Sequence, residues 1–407
     1  MNNDTNKQMG MEYVMNTYSR LDIALVKGKG SYVWDADGKK YLDMVSGIAV
    51  NNVGHCHPQV VKAVQRQAEQ LMHCSNLYWN EPQVQLAKMI VDNSCGKKVF
   101  FCNSGAEANE AAIKLARKWS YDKYGEGRYE IITAEKSFHG RTLAALTATG
   151  QTQYQKGFAP LPAGFKYVPY NDLAALKNAI TEKTCAILLE PVQGEGGVYP
   201  ATKDYLTGVK RLCQENDLLL IFDEVQTGLG RTGKLFAYQH SEVQPDVFTL
   251  AKGLGGGLPI GALVARGVAA DVLGPGQHAA TFGGNPLSTA AALATLTVLI
   301  ENKLSQQAAE KGQYIIEKLQ LMQKETPLIK EVRGLGLMLG IELSIEGKTI
   351  QDYCQEQGLL INFVHNHILR LIPPLNIAYE DIDKALAIIE EALTIAWETH
   401  QNKRYFI

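Results

Sequence analysis

The sequence lacks the cysteine pattern of a disulfide-stabilised protein. Its seven cysteines are odd in number and include no C-x-x-C pair, which argues against a disulfide framework and favours reduced thiols in the cytoplasm. Long apolar runs are also missing, since the longest, Ala290–Ile300, has 11 residues with two threonines and is too short to span a membrane. The first ten residues are polar, unlike a signal peptide. We therefore expect neither secretion nor membrane insertion.

An excess of charge of one sign is absent as well. The 40 Lys and Arg residues nearly balance the 42 Asp and Glu residues, which gives a net charge of −2 and argues against a nucleic-acid partner. The two common nucleotide-binding motifs are missing, because no G-x-x-x-x-G-K-[ST] occurs and Leu258 interrupts G-x-G-x-x-G after Gly253–Gly257. A phosphate bound by this chain is therefore not expected to belong to ATP or NAD.

Glycine is abundant, and short apolar segments alternate with amphipathic ones. The 37 glycines among 407 residues are about 9%, against a usual level of about 7%. The segments that read as buried strands are Lys98–Cys102, Tyr129–Thr133, Cys185–Leu189, Leu218–Phe222 and Val247–Ala251. Their nearly continuous apolar character predicts an α/β fold with a mainly parallel sheet between helices.

The pattern changes near residue 300. There Glu301–Lys324 predicts one long helix, Leu335–Leu343 and Leu359–Phe363 predict strands, and a last helix is expected from Glu380 to about Thr399. We expect three regions: an N-terminal segment of residues 1–45 that packs with the small domain, a large cofactor-binding domain of residues 46–298, and a smaller α+β domain of residues 299–407. The N-terminal segment includes a hairpin that turns at Asp37-Gly38.

Polar residues follow several predicted strands. Residues 103–108, Glu190, Asp223 and Lys252 each come directly after an apolar segment, so they are expected to line the crevice at the carboxyl ends of the strands. Gly105 and Ala106 open a predicted helix, whose N-terminus can bind a phosphate. An ordinary capped turn between strand and helix explains this segment equally well.

Asp223 and Lys252 are costly to bury without a partner. They could form a structural ion pair. Alternatively, they could serve pyridoxal phosphate, with which the lysine forms a Schiff base while the aspartate keeps the pyridine nitrogen protonated, so that the ring accepts electrons. Burial also lowers the pKa of such a lysine, which lets it act as a nucleophile and then carry a proton.

Eight motifs, in order and without large gaps, resemble those of one enzyme family. They are Leu77-Tyr-Trp-Asn80, Phe101-Cys-Asn-Ser-Gly-Ala-Glu-Ala-Asn-Glu110, Phe138-His-Gly-Arg-Thr142, Glu190-Pro-Val-Gln-Gly-Glu-Gly-Gly197, Asp223-Glu-Val-Gln-Thr-Gly228, Leu250-Ala-Lys-Gly-Leu-Gly-Gly-Gly257, Thr281-Phe-Gly-Gly-Asn-Pro286 and Leu369-Arg-Leu-Ile-Pro-Pro-Leu375. From about residue 11 to 395 the sequence resembles the class III (ornithine-type) pyridoxal-phosphate aminotransferases, most closely those that act on acetylornithine. The resemblance implies the fold-type I architecture of these transferases.

The resemblance also implies roles for individual residues. Lys252 would hold pyridoxal 5'-phosphate and Asp223 would pair with its pyridine nitrogen. The other residues implied to contact the cofactor are Gln226 at the 3-hydroxyl oxygen, Phe138 over the ring, and Ser104, Gly105 and Ala106 at the phosphate. Thr281 would reach the phosphate of a second subunit, so a homodimer with shared sites is expected.

Two arginines are implied to bind substrate carboxylates. Arg141 would hold the α-carboxylate of the ornithine-like donor, and Arg370 that of glutamate. Glu195 would pair with Arg370 while the donor reacts and move away for glutamate. Without its context, Arg370 would be interpreted as a solvated residue or one side of a weak ion pair. Tyr78 belongs to a segment expected to sense the tail of the substrate.

The expected reaction transfers the terminal amino group of N-acetylornithine to 2-oxoglutarate, as a step of arginine biosynthesis. It follows a ping-pong course of transaldimination at Lys252, a proton shift by the freed lysine, and hydrolysis. Ornithine, succinylornithine, succinyldiaminopimelate and 4-aminobutyrate are alternative donors, and an aminomutase or a non-catalytic pyridoxal-phosphate-binding regulator is more remote. No metal is expected at His55 and His57, and His365-Asn-His367 is similar to a nuclease tripeptide but has no supporting context. His139 would support Arg141 or the orientation of the substrate, or be a structural histidine.

Overall fold

The computed structural model describes residues 1–404, with side chains described through Thr399. The end of the predicted small domain, residues 405–407, lies outside the described residues. The helices are α1 (Asn3–Tyr13), α2 (Ser46–Ala49), α3 (Pro58–Gln70), α4 (Glu81–Asp92), α5 (Gly105–Tyr124), α6 (Leu143–Ala148), α7 (Leu173–Ala179), α8 (Lys203–Glu215), α9 (Pro286–Glu301), α10 (Leu304–Glu325), α11 (Gly347–Glu356) and α12 (Tyr379–Arg404). The strands are β1 (Leu25–Lys29), β2 (Tyr32–Asp35), β3 (Lys40–Asp43), β4 (Lys98–Cys102), β5 (Glu130–Ala134), β6 (Phe165–Val168), β7 (Thr184–Leu189), β8 (Val192–Gln193), β9 (Tyr199–Pro200), β10 (Leu219–Asp223), β11 (Val247–Leu250), β12 (Gly261–Ala265), β13 (Ile329–Leu335), β14 (Met338–Leu343), β15 (Leu359–Leu360), β16 (Asn362–Val364) and β17 (Ile368–Leu371).

The large sheet has seven strands in the order β4-β12-β11-β10-β7-β5-β6. Strand β12 runs antiparallel to both neighbours, and the other pairs are parallel. Every residue of β7 and β10 is buried, as the continuous apolar segments predicted. The predicted mainly parallel α/β sheet is therefore confirmed, whereas the antiparallel strand β12 was not predicted.

A second sheet, with the order β13-β14-β17-β16, is antiparallel. The prediction of one strand over Leu335–Leu343 is wrong, because the chain turns between β13 and β14 at Gly336, whose φ of 55° suits glycine. The prediction of one helix over Glu301–Lys324 is also wrong. Lys303 adopts the left-handed conformation, with φ of 51°, and separates α9 from α10.

A third sheet joins the two ends of the chain. It has the order β1-β2-β3-β15, and β15 pairs in parallel with β3 through Leu359 and Leu42. The predicted hairpin is present, with Gly38 in its turn at a φ of 86°. The division into residues 1–45, 46–298 and 299–407 stays a proposal, which the β3–β15 pairing supports for the first segment. Among residues 1–404, no helix combines the length and apolar content needed to cross a membrane.

Candidate active site

A cleft of about 450 Å³ opens at the carboxyl edge of the large sheet. The segments that follow β4, β7, β10 and β11 all contribute to its wall, as expected for an open α/β sheet. Its lining includes nine of the residues predicted from the sequence, namely Ser104, Gly105, Ala106, Phe138, Arg141, Glu195, Asp223, Gln226 and Lys252. The structure therefore brings together residues that are up to 148 positions apart in the chain (252 − 104).

Asp223 is the last residue of β10 and is buried. One carboxylate oxygen accepts a hydrogen bond from the Asn109 side chain at 2.7 Å and lies 2.8 Å from Nδ1 of His139. The other oxygen accepts from the backbone N–H of Val225 at 3.0 Å. Thr249 donates to Asn109 at 2.9 Å, so the carboxylate is held from three sides by groups that are themselves fixed.

Lys252 begins a short 3-10 helix, Lys252–Leu254, directly after β11. Its φ of 42° is positive, a backbone conformation that is uncommon for a residue with a side chain and is concentrated at functional sites. Burial lowers the pKa of the Lys252 ammonium, although the carboxylates of Glu195 and Asp223 act in the opposite direction. A lysine in this setting is suited to act as a nucleophile and as a proton carrier.

The N-terminus of α5 faces the cleft. Gly105 and Ala106 stand in its first turn, where backbone N–H groups lack intrahelical partners, and Ser104 caps the helix by accepting from the N–H of Glu107 at 3.2 Å. A Cβ at Gly105 would lie 2.7 Å from Val225. The capped turn between strand and helix is therefore present. Phosphate binding at this helix N-terminus stays a prediction.

An aromatic wall carries Arg141 on the outer side of the cleft. The rings of Phe138 and Tyr154 meet edge to face with centroids 6.2 Å apart, and the Arg141 guanidinium lies 4.0 Å from the centroid of the Tyr154 ring. Arg141 itself is exposed. His139 does not support Arg141 by a hydrogen bond, because its Nδ1 faces Asp223 instead; it is buried and belongs to the Asp223 network.

Glu195 and Arg370 form an ion pair with 2.6 Å between oxygen and nitrogen. Arg370 stands on β17 and is 1% exposed, so the interpretation as a solvated arginine is wrong. Burial raises the pKa of the Glu195 carboxyl, but the Arg370 guanidinium, together with Lys252 and Gln226, outweighs burial and lowers that pKa below its usual value. Gln226 lies beside the pair, 3.4 Å from Nη1 of Arg370.

The hydrogen bonds of Glu190 could not be read from the sequence motif. Its carboxylate accepts from the backbone N–H of Phe138 at 3.1 Å and from that of Gly194 at 3.3 Å. Burial raises the pKa of Glu190 to about 7, with the charge of Asp223 adding to the effect and His139 opposing it. Glu190 therefore connects the aromatic wall to the segment that carries Glu195.

Thr281 and Tyr78 do not line this cleft. They lie together in a separate surface groove that also includes Leu77 and Trp79, and Thr281 is exposed. Leu77, Tyr78 and Trp79 are 84%, 68% and 91% exposed. Within one copy of the chain, these two predicted site residues are therefore apart from the others, and their roles stay predictions.

Asn109 and Thr249 are site residues that the sequence reasoning missed, whereas Glu190 was expected in the crevice and is found there. Asn109 lies within α5 on a face that is otherwise mostly alanine and is buried there, and a polar residue among apolar helical positions was the available signal. His55 lies 2.7 Å from the Asp43 carboxylate. Within residues 1–399, no group of three or more His, Cys, Asp or Glu side chains could hold a metal ion.

The cleft fits pyridoxal phosphate on structural grounds. The cradle at the start of α5 has no room for larger residues, because a Cβ at Gly140 would lie 2.8 Å from that of Ala106. A buried carboxylate at Asp223 and a lysine with a lowered pKa complete the donors and acceptors that this cofactor needs. A mainly parallel sheet with these groups at its carboxyl edge agrees with the class that the sequence resemblance implies, the pyridoxal-phosphate enzymes of fold type I.

Comparison with known proteins narrows this class. The model of the family "Aminotransferase class-III" matches residues 13–393. The acetylornithine aminotransferase of Caldanaerobacter subterraneus subsp. tengcongensis is 57% identical over 94% of this chain and 98% of its own length. The crystal structure of ornithine aminotransferase from Toxoplasma gondii ME49 superposes with a TM-score of 0.95 at 35% identity, over 98% of this chain and 96% of that one. Acetylornithine aminotransferase from Elizabethkingia anophelis superposes with a TM-score of 0.87 at 36% identity, over 97% and 99%.

This chain belongs to the class III aminotransferase family, whose members are pyridoxal-phosphate-dependent transaminases.

Proposed function

We propose that this protein transfers the terminal amino group of N-acetylornithine to 2-oxoglutarate and so serves arginine biosynthesis. The observation that carries the proposal is the ion pair beside Lys252 between the partly exposed Glu195 and the buried Arg370. A transaminase with two unlike substrates needs an arginine for glutamate that is neutralised while the other substrate reacts. The names of the curated relatives, including the one that is 57% identical, support acetylornithine as that other substrate.

Each residue of the cleft has a definite task in this proposal. Bound in the cleft, pyridoxal phosphate would supply a carbonyl group that takes up the amino group and a ring that accepts electrons. Asp223 would hold the proton on the ring nitrogen, Phe138 would cover the ring, and Gln226 would donate to the ring oxygen. Ser104, Gly105 and Ala106 would bind the phosphate. Lys252 would bind the cofactor at rest and, once released, would carry the proton from the substrate carbon that bears the amino group to the carbon of the cofactor's carbonyl group.

Two arginines orient the substrates. Arg141 is exposed at the mouth of the cleft and binds the α-carboxylate of the donor, so that the distant amino group reaches Lys252. Arg370 binds the α-carboxylate of glutamate after Glu195 has moved away. The guanidinium is suited to both tasks because it can hold two carboxylate oxygens at once.

A panel of amino donors tests the choice of substrate. With 2-oxoglutarate as acceptor, kcat/KM is expected to be at least about tenfold higher for N-acetylornithine than for ornithine, succinylornithine, succinyldiaminopimelate or 4-aminobutyrate, because removing one good substrate contact costs about 1.4 kcal/mol or more. Ornithine is the second candidate, since the Toxoplasma gondii ornithine aminotransferase superposes with a TM-score of 0.95. A preference for any other donor would overturn the proposed substrate.

The Glu195→Gln variant is expected to change the balance between the two half-reactions. Glutamine keeps the size of the side chain but loses the charge that neutralises Arg370, so glutamate binds to the resting enzyme more readily. The ratio of kcat/KM for glutamate to that for N-acetylornithine should rise by roughly 10- to 100-fold, or about 1.4–2.7 kcal/mol. This is less than the cost of breaking a fully buried charge pair, because the Glu195 side chain is 25% exposed. Stopped-flow measurement of each half-reaction gives the ratio.

Glu215→Gln serves as the matched control for Glu195→Gln. Glu215 is also paired with an arginine, Arg211, but its side chain is 57% exposed and it does not line the cleft. For this control variant, the ratio of kcat/KM for glutamate to that for N-acetylornithine should match the wild-type value. An unchanged ratio in Glu195→Gln would show that Glu195 is not the selector between the substrates.

We also propose a homodimer with shared active sites, in the cytoplasm. Support comes from the exposed apolar side chains of Leu77, Tyr78 and Trp79 next to Thr281, since apolar patches of this kind mark interaction surfaces. In a dimer, Thr281 would reach the phosphate site of the other subunit. The location agrees with seven free cysteines.

Complementation between two inactive variants tests the shared sites. Lys252→Ala removes the lysine, and Thr281→Asp repels the phosphate. After both are mixed, unfolded and refolded together, half of the dimers should be mixed and each should hold one intact site, which restores about a quarter of wild-type activity. Each variant refolded alone is the control. If both residues served the same subunit's site, the mixture would stay inactive.

A further inference from the structure

The segment that carries Glu195 is the turn of a small hairpin, which we call the Glu195 hairpin (residues 192–200). Its strands β8 and β9 pair through Val192 with Pro200 and through Gln193 with Tyr199. The turn, residues 194–198, reaches the antiparallel sheet β13-β14-β17-β16. Val198 is fully buried in a cluster with Met338 and Ile372, so the hairpin packs against residues from the C-terminal part of the chain.

The hairpin packs against one line of directly paired residues that crosses that sheet. Arg333 pairs with Gly340, Gly340 with Arg370, and Arg370 with Asn362. Directly opposed residues of neighbouring strands point to the same face, so the two arginines stand on either side of a glycine. The missing side chain makes room for the hairpin, because a Cβ at Gly340 would lie 3.0 Å from Cβ of Val198.

The two arginines hold different parts of the hairpin turn. Arg370 pairs with the Glu195 side chain at 2.6 Å, whereas Nε of Arg333 donates to the backbone oxygen of Gly197 at 3.0 Å. The Arg333 guanidinium also lies 3.9 Å from the centroid of the Tyr199 ring. Arg333 thus contacts the hairpin backbone two residues after Glu195 and the ring four residues after it.

Arg333 is itself held in place. Its side chain is 7% exposed, and Nη1 lies 2.6 Å from Glu331 and 2.7 Å from Glu342. Burial raises the pKa of the Glu342 carboxyl, but Arg333 outweighs burial and lowers it. On the opposite side of the turn, Gly194 donates to the Glu190 carboxylate at 3.3 Å. The turn is therefore fixed on both sides of Glu195, and the side chain of Glu195 is left as the part that can change partner.

We infer that Arg333 is a positioning residue, which fixes the Glu195 hairpin so that Glu195 stays opposite Arg370 until glutamate displaces it. The inference rests on the proposed function in one respect, the role of the ion pair as a selector between substrates. Arg333 touches neither substrate nor cofactor in this account. It acts through the backbone of the hairpin.

Arg333→Met tests the inference, because methionine fills the space without donating to Gly197. Hydrogen–deuterium exchange of the peptide 192–200 should become faster by about tenfold or more, since one buried charged hydrogen bond contributes about 1.5–3 kcal/mol. The ratio of kcat/KM for glutamate to that for N-acetylornithine should rise by about 3- to 30-fold, because the ion pair forms less completely. Arg333→Lys should fall between wild type and Arg333→Met, since lysine keeps the charge without the planar fork.

A double variant separates positioning from a general loss of stability. If Arg333 acts through Glu195, adding Arg333→Met to Glu195→Gln should leave the ratio within about twofold of that of Glu195→Gln alone. Arg128→Met is the matched control, because Arg128 also donates to backbone oxygens, those of Thr184, Asn216 and Asp217, but does not contact the hairpin. Arg128→Met should change neither the hydrogen–deuterium exchange of the peptide 192–200 nor the ratio of the two kcat/KM values.

Each other outcome has a definite meaning. Unchanged exchange of the peptide 192–200 in Arg333→Met would overturn the inference, as would faster exchange with an unchanged ratio. Full additivity with Glu195→Gln would also overturn it. If the wild-type protein transfers no amino group from any donor, the proposed function is wrong, and hydrogen exchange alone decides whether Arg333 holds the hairpin.

Discussion

Lys252→Ala is expected to lower kcat for amino-group transfer by at least about 10⁴-fold, the upper end of what one proton-transferring residue contributes. The loss is large because the same amino group, in its neutral form, binds the cofactor and then moves the proton. Its setting supports both tasks, since burial lowers its pKa and its strained backbone fixes it at the end of β11. Single-turnover kinetics with added pyridoxal phosphate measure the effect.

Lys311→Ala controls for the removal of a buried lysine. Lys311 donates to Gln307 and to the backbone oxygen of Leu375, and it does not line the cleft. Its removal should change thermal stability but leave kcat within about threefold of wild type, because it contacts no reacting group. If Lys252→Ala kept more than about a hundredth of wild-type kcat, another residue would have to move the proton.

Asp223→Asn is expected to lower kcat by about 10²- to 10³-fold, which corresponds to about 3–4 kcal/mol and lies within the cost of breaking a buried charge pair. The substitution keeps the shape but removes the negative charge that holds the proton on the ring nitrogen. It also places an amide beside Asn109 and His139, which now face a carboxylate oxygen at 2.7 and 2.8 Å. The variant should still bind the cofactor through Lys252.

Asp246→Asn is the control for Asp223→Asn. Asp246 is paired with Lys210 at 3.1 Å and directly precedes β11, at the edge of the sheet opposite the cleft. The kcat of Asp246→Asn should equal that of the wild-type protein. If Asp223→Asn were as active as Asp246→Asn, then Asp223 would be a structural residue of its hydrogen-bond network and would not act on the cofactor ring.

The arrangement of the active-site groups could be predicted because it depends on local sequence features. Asp223 and Lys252 each end an apolar strand, and parallel strands bring their carboxyl ends to one edge. The start of α5 at Gly105 agrees with the prediction that Gly105 and Ala106 open a helix. The pairing of Glu195 with Arg370 was expected only from the resemblance to a family, since these residues are 175 positions apart (370 − 195).

Features that depend on strand register could not be predicted. The row of Arg333, Gly340 and Arg370 requires the alignment of β13, β14 and β17, and no local pattern states which residues of antiparallel strands stand opposite each other. Asn109 was missed for a related reason. An asparagine within a helix is a weak local signal. The role of Asn109 becomes visible only in the fold, where β10 and β11 bring Asp223 and Thr249 within hydrogen-bond distance of it.

The visible absorption of the purified protein loaded with pyridoxal phosphate tests the central claim most directly. Adding N-acetylornithine without an acceptor should remove the band of the cofactor bound at Lys252, one equivalent per subunit, and adding 2-oxoglutarate should restore it. The same cycle, started with glutamate, should be reversed by the semialdehyde of N-acetylglutamate. A band that neither amino donor changes would contradict the assignment of this cleft as an aminotransferase active site.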